Sequence, residues 1–175
     1  MKKKVDRSLL VIFGLPGAGK TYAADVLGKK FGYFIYDGDT DIPEYMRDAL
    51  LNKAIITDAM RREFLTRMIA SITKLTQTHH KLAVHQTLIK EFMRKEFLDA
   101  FPHAQFLLVE TDDVIREQRY MKRDYFNLGL PYLRHMSNLF EQPEIPHIII
   151  ENGTDGEKAI LAQLKNVLLI IPTPG

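Results

Sequence analysis

Short apolar runs recur along the chain, and amphipathic segments separate them. Leu9-Leu10-Val11-Ile12-Phe13, Tyr33-Phe34-Ile35-Tyr36, Lys81-Leu82-Ala83-Val84-His85, Gln105-Phe106-Leu107-Leu108-Val109 and His147-Ile148-Ile149-Ile150 have the length and composition of strands. After the first run, Ala23, Leu27 and Phe31 share one face at i, i+4, i+8, which predicts a helix from Tyr22 to Phe31 ended by Gly32. Pro43 suits a first turn, so Glu44 to Leu51 reads as a short helix. Thr57 or Asp58 caps a longer one reaching about Gln77, with Phe64, Leu65, Met68, Ile69, Ile72 and Leu75 at helical spacing. Further helices are expected over Lys90 to Ala100, from the Thr111-Asp112-Asp113 cap to about Arg123, over Tyr132 to Phe140, and from Asp155 to about Leu168. Asn127 to Pro131 interrupts the pattern, and Leu169 to Gly175 reads as a tail. Strands alternate with helices and no repeat or linker intervenes. The expectation is a single α/β domain over residues 1–175, three layers deep, around a parallel sheet.

Composition narrows the partners. A formal net charge of +2 gives no basic field for nucleic acid, and Lys2-Lys3-Lys4 reads as a solvated terminus. No apolar stretch approaches a membrane span, so no membrane partner is expected. The absence of cysteine excludes disulfides and thiolate metal sites and makes cytoplasmic residence the expectation. His79-His80 falls in a turn, with no third ligand at metal-binding spacing in the sequence.

The chemistry is concentrated in Gly14-Leu15-Pro16-Gly17-Ala18-Gly19-Lys20-Thr21, which fits G-x-x-x-x-G-K-[ST] between a strand and a helix. Backbone N–H groups at such a helix start cradle phosphates. Gly14, Gly17, Ala18 and Gly19 line that cradle, Lys20 reaches the β- and γ-phosphates, and the Thr21 hydroxyl takes Mg²⁺. ATP and Mg²⁺ are the cofactors this predicts. In a parallel α/β sheet, ligands gather beyond the carboxyl ends of the strands. Two groups fall there: Asp37-Gly38-Asp39, which a plain turn would also use, and His85-Gln86-Thr87. If the second strand runs on, Asp37 and Asp39 point to one side with Cα atoms roughly 6–7 Å apart. Arg119 and Arg123 share a face of their helix at i, i+4.

These residues resemble those of the gluconate kinase and shikimate kinase group of small P-loop metabolite kinases, from about Ser8 to Lys165. The likeness rests on the P-loop, Asp37-Gly38-Asp39, His85-Gln86-Thr87-Leu88-Ile89-Lys90, Asp58-Ala59-Met60-Arg61, the arginine-bearing helix before Tyr125-Phe126, and Leu139-Phe140-Glu141-Gln142-Pro143. It implies a P-loop NTPase fold laid out like the nucleoside monophosphate kinases, with strand order 2-3-1-4-5. It also implies a substrate-side helical region at about 40–78 and a lid at about 116–135. By that likeness Asp37 holds Mg²⁺ through water, Asp39 meets the acceptor hydroxyl, and Arg61 meets an acceptor carboxylate. His85 and Gln86 are candidate acceptor contacts. Arg119 and Arg123 serve the lid and the nucleotide, in a register one residue off the ungapped match to Gln118 and Lys122. The implied activity is ATP-dependent phosphorylation of an alcohol on a small anionic metabolite, gluconate-like, by a monomer or homodimer. A nucleotide, a nucleic-acid end or another protein as acceptor, or a binding protein with little turnover, are the alternatives. The stretch after Asp39 departs from the group: Ile42 stands where histidine is usual, and Asp41 adds a carboxylate expected to face the acceptor.

Overall fold

The computed structural model describes residues 8–124 and 126–170. Lys2-Lys3-Lys4, Tyr125 and 171–175 lie outside them, so the basic start and the last five residues of the expected tail are not addressed. Five strands, β1 (Ser8–Phe13), β2 (Phe34–Asp37), β3 (Lys81–His85), β4 (Gln105–Glu110) and β5 (Ile148–Glu151), form one parallel sheet in the order β2-β3-β1-β4-β5. Seven α-helices are described: α1 (Lys20–Phe31), α2 (Glu44–Leu51), α3 (Asp58–Thr78), α4 (Glu91–Ala100), α5 (Asp113–Met121), α6 (Leu130–Leu139) and α7 (Gly156–Ile170). This is the expected P-loop kinase layout.

The central strand is apolar throughout because both of its faces are covered. Val11 and Phe13 pack with Met68, Ile72, Val84 and Phe97 under α3 and α4. Leu10 and Ile12 pack with Leu27, Ala83, Leu107 and Leu164 under α1 and α7. The side-chain period of two is present but hidden, since neither face meets water.

Several boundaries differ from the sequence reading. Leu130 and Pro131 open α6 instead of preceding it, because a first turn lacks the hydrogen bond proline cannot make. Leu169 and Ile170 continue α7. At Asp37 strand β2 stops, and Gly38–Asp41 turns in a 3₁₀ helix in which the Asp37 side chain caps the Asp39 N–H. The extended-strand spacing expected for Asp37 and Asp39 therefore does not hold. Thr57 is the cap of α3, accepting from Met60 N at 3.2 Å. His79 caps the end of that helix and stacks on Phe34, with ring centroids 3.9 Å apart.

Candidate active site

The loop from Gly14 to Gly19 joins β1 to α1 in a conformation that only glycine accepts at Gly14, Gly17 and Gly19. Gly14 has φ +146°, and a Cβ there would lie 2.5 Å from the Val109 carbonyl oxygen. Gly19 has φ +96°, and a Cβ would lie 1.9 Å from Asn152 Nδ2. That amide is the clamp on the loop: Asn152 is buried, its Nδ2 donates to Ala18 O at 2.8 Å, and its backbone N–H donates to Glu110 O at 2.8 Å. The sequence alone gives Asn152 no such role.

Lys20 donates to Leu15 O at 2.9 Å. Enclosure of its ammonium pushes it down to about 7, with Arg123 and Arg116 adding to the effect against Asp39 and Asp37.

The P-loop divides two clefts. An outer cleft of about 650 Å³ is walled by Leu15, Ala18, Val109, Thr111, Arg116 and Asn152, among others. An inner cleft of about 160 Å³ gathers Lys20, Thr21, Asp37, Asp39, Arg61, His85, Gln86 and Arg123 with a set of apolar side chains. The parallel pairing of Asp37 with His85 puts the ends of β2 and β3 side by side. Asp37 Oδ1 accepts from Asp39 N at 2.9 Å, and His85 Nδ1 lies 4.0 Å from the same oxygen. Burial lowers the His85 pKa, with Lys20 adding to it against Asp37 and Asp39.

Gln86 lines the inner cleft, and its amide is already bonded there. Its Nε2 donates to Asp39 Oδ1 at 2.7 Å and its Oε1 accepts from Thr87 N at 2.7 Å, so its amide holds Asp39 in place. Arg47 adds a bond to the Asp39 carbonyl at 3.0 Å. The carboxylate of Asp41 is turned away from the acceptor, accepting from Tyr36 at 2.5 Å and from Ser71 at 2.8 Å. The two hydroxyls, one from β2 and one from α3, hold that charge outside the lining of the inner cleft. Arg61 lies in the inner cleft as expected, buried, with Nη1 donating to Ile56 O at 2.8 Å and Asp58 Oδ1 at 3.0 Å.

The lid arginines separate. Helix α5 ends at Met121, so Arg119 and Arg123 do not share a helical face. Arg123 lines the inner cleft, its guanidinium 5.0 Å from the Tyr120 ring. Arg119 turns the other way and donates to Asn152 O at 2.8 Å and Gly153 O at 2.7 Å. It braces the loop that walls the outer cleft instead of facing a nucleotide itself. Gln118 and Lys122 are exposed, which favours the shifted register. Arg116, to which the sequence reading assigns no role, is buried against the P-loop: Nη1 donates to Pro16 O at 3.5 Å and Nη2 bonds Asp113 and Ser137. Its Nε is buried without a partner among the described residues, as is the Thr111 hydroxyl in the same cleft.

A divalent cation fits the inner cleft by donor chemistry. Thr21 and Asp37 are both exposed to it and offer hard oxygens, which suit Mg²⁺.

A cleft on each side of a clamped P-loop, at the carboxyl ends of a 2-3-1-4-5 sheet, defines the fold of the small P-loop metabolite kinases. Solved structures agree. A sugar kinase from Janibacter sp. HTCC2649 superposes with a TM-score of 0.80 at 17% identity, covering 95% of this chain and 96% of its own. A gluconokinase from Sinorhizobium meliloti 1021 gives 0.73 at 18%, over 94% and 95%. A shikimate kinase from Acinetobacter baumannii, solved with shikimate, gives 0.58 at 22%, over 94% and 93%. No protein-family model matches the chain, and no curated protein matches it. Among the described residues no helix is long and apolar enough to cross a membrane.

Proposed function

We propose that this protein transfers the γ-phosphoryl group of ATP to a hydroxyl of a small anionic metabolite. The observation that carries the reading is the convergence of Lys20, Thr21, Asp37, Asp39 and Arg123 on one cleft beside the P-loop. The nucleoside part of ATP takes the outer cleft, and the P-loop N–H groups hold its phosphates. Bound Mg²⁺, held by Thr21 and through water by Asp37, supplies charge neutralisation at the phosphoryl oxygens. Lys20 exchanges its bond to the Leu15 carbonyl for those oxygens. Gln86 occupies Asp39 Oδ1, so Oδ2 is the oxygen free to accept the acceptor's O–H and aim its oxygen at phosphorus. The transition state is loose, so much of this benefit is positioning. Arg123 meets the charge that grows on the transferring group, and Arg61 holds the acceptor's anion. Sugar acids of the gluconate kind are the first class to assay, since a gluconokinase is among the structural neighbours.

The test compares Asp39→Asn with the unaltered protein, reading ATP affinity by calorimetry beside acceptor-dependent ADP release. Affinity within a few-fold and transfer lower by roughly 10²–10⁴ is the expected result. Unchanged transfer overturns the role of Asp39. Lost ATP binding without an acceptor defect assigns Asp39 to the metal or the fold.

A further inference from the structure

Polar groups are unevenly spread around the inner cleft. At the P-loop end some are already engaged, since Gln86 spends both ends of its amide on Asp39 and Thr87 and Asp37 Oδ1 is taken by the Asp39 amide, while His85, Thr87 and Arg123 face the cleft there. Beyond them the wall is Met46, Phe64, Ile89, Met93 and Met136, with Phe126 from the lid. None of these side chains can pair with a hydroxyl. A polyol acid carries a hydroxyl on nearly every carbon, and each one buried without a partner costs free energy instead of gaining it.

Polar side chains return at the far end. Arg61 makes both of its hydrogen bonds through Nη1 among the described residues, so the rest of its fork is available to an anion. Tyr132 stands beside it; burial raises its pKa to about 12, so its hydroxyl stays a neutral donor at assay pH. Leu50, Ile56, Arg61, Tyr132 and Met136 also wall a third cleft of about 710 Å³, which continues past Leu128, Pro131 and Leu139. The inner cleft therefore opens at this end into a mostly apolar cleft that also carries Lys53, Asp58, Lys90 and His135.

We infer that the acceptor is an amphipathic hydroxy acid: a hydroxyl at Asp39, an alkyl or aryl body against the methionine-rich wall, and a carboxylate at Arg61. This rests on the kinase reading above and narrows its substrate class. The acceptor O–H bond breaks and an O–P bond forms. The bond from Pγ to the β–γ bridging oxygen breaks, ADP leaves, and the proton passes through Asp39 to solvent. Met136 and the other methionines suit such a body, since flexible thioethers adapt to varied apolar shapes.

The experiment titrates the Mg·ADP complex with ω-hydroxyalkanoates of increasing length, 4-(hydroxymethyl)phenylacetate and gluconate, and follows ADP release from ATP with each. The apolar acids should bind at least tenfold tighter than gluconate, gaining roughly two- to fourfold per buried methylene until the body reaches Arg61. Met136→Gln, close to the native side chain in volume and partly exposed in the structure, should remove most of that contrast and leave Mg·ADP affinity within twofold. Leu50→Gln serves as a second such variant. Arg61→Gln should weaken the acids and leave the matching diols unaffected. Gluconate binding as tightly as the apolar acids overturns the inference, and so does failure of every apolar acid to bind while Mg·ADP binds. Transfer to gluconate alone also overturns it but leaves the kinase reading standing. Selective binding of the apolar acids with no phosphoryl transfer to any of them overturns the kinase reading and leaves the amphipathic site standing.

Discussion

Lys20 is a cation placed where cations are disfavoured. Its ammonium is enclosed, Arg123 and Arg116 are close, and only Asp37 and Asp39 oppose them, so it titrates near 7 in the free protein. Phosphate oxygens favour the charged form and raise that value on binding. Between the free and bound values the complex carries the extra proton, so nucleotide binding takes one up. The lysine's contribution to affinity is complete below about 7 and is lost as pH rises toward the bound value. Its effect on folding has the opposite sense. The unfolded chain binds more protons from about 7 to the ordinary lysine value, so this group makes stability rise with pH across that window. Calorimetry of Mg·ATP binding at pH 8, in buffers of different ionisation enthalpy, should show uptake of roughly 0.9 proton. Lys20→Met should abolish it; the same uptake in that variant would place the titrating group elsewhere. The P-loop itself was legible because its spacing is fixed in the sequence. The roles of Gln86 and Asn152 were not, because their partners Asp39 and Ala18 lie far along the chain and only the strand ends bring them together.

At the level of elements, most strands and helices were legible from periodicity, and the errors sit where a turn takes over from a regular run. Helix α5 is the instructive case. The sequence reading carried it to Arg123, which put Arg119 and Arg123 on one face. The helix ends at Met121, and the Arg123 N–H bonds to Tyr120 O at 3.1 Å in a tighter turn. Two residues of unwinding aim one guanidinium at the inner cleft and leave the other on the Asn152 loop. Arg123→Ala should therefore cut turnover by roughly 10²–10³ and leave ATP affinity within a few-fold, since the charge it meets develops in the transition state. Arg119→Ala should raise the ATP KM a few-fold through its hold on Gly153 O, with little change in kcat. The double variant should be additive, because the two side chains share no partner. Steady-state kinetics of the three variants read this out. A strong coupling between them would return Arg119 to the phosphate side.

Across the whole molecule, the acceptor wall is tied to a buried ion pair in the first turn of α4. The glutamate of the Leu139–Pro143 stretch that contributed to the resemblance has its partners here. Glu141 accepts from the Glu91 N–H at 2.8 Å and from Lys90 at 3.0 Å, and its carbonyl accepts from Arg94 Nη2 at 2.6 Å. Arg94 has no exposed surface. It pairs with Glu91 at 2.5 Å and sits 5.5 and 5.2 Å from the rings of Phe13 and Phe140. The other oxygen of Glu91 accepts from Glu144 N and Ile145 N, both at 3.0 Å. Segment 141–145 is thus riveted to the start of α4, and α6, which precedes it, carries Tyr132 and Met136 into the inner cleft. In Glu91→Gln the amide oxygen can still serve the two N–H groups, but the NH₂ faces Arg94 donor to donor and leaves a buried cation without its counter-charge. Breaking a buried pair in this way costs about 3–5 kcal/mol. Arg94→Met should cost less, because the carboxylate left behind keeps both backbone donors and the methionine fills much of the volume. Urea unfolding of the two variants measures the difference. An Arg94→Met loss equal to or larger than that of Glu91→Gln would show that the arginine's packing on Phe13 and Phe140, and not the ion pair, holds the segment. Where Glu91→Gln remains folded, its looser α6 should raise the acceptor KM several-fold and weaken Mg·ATP less, since this segment gives the outer cleft only Phe140 and Gln142 while Asn152 and α5 keep the rest of its wall. An equal loss of nucleotide affinity would mean that Phe140 and Gln142 support the outer cleft as much as Asn152 and α5 do.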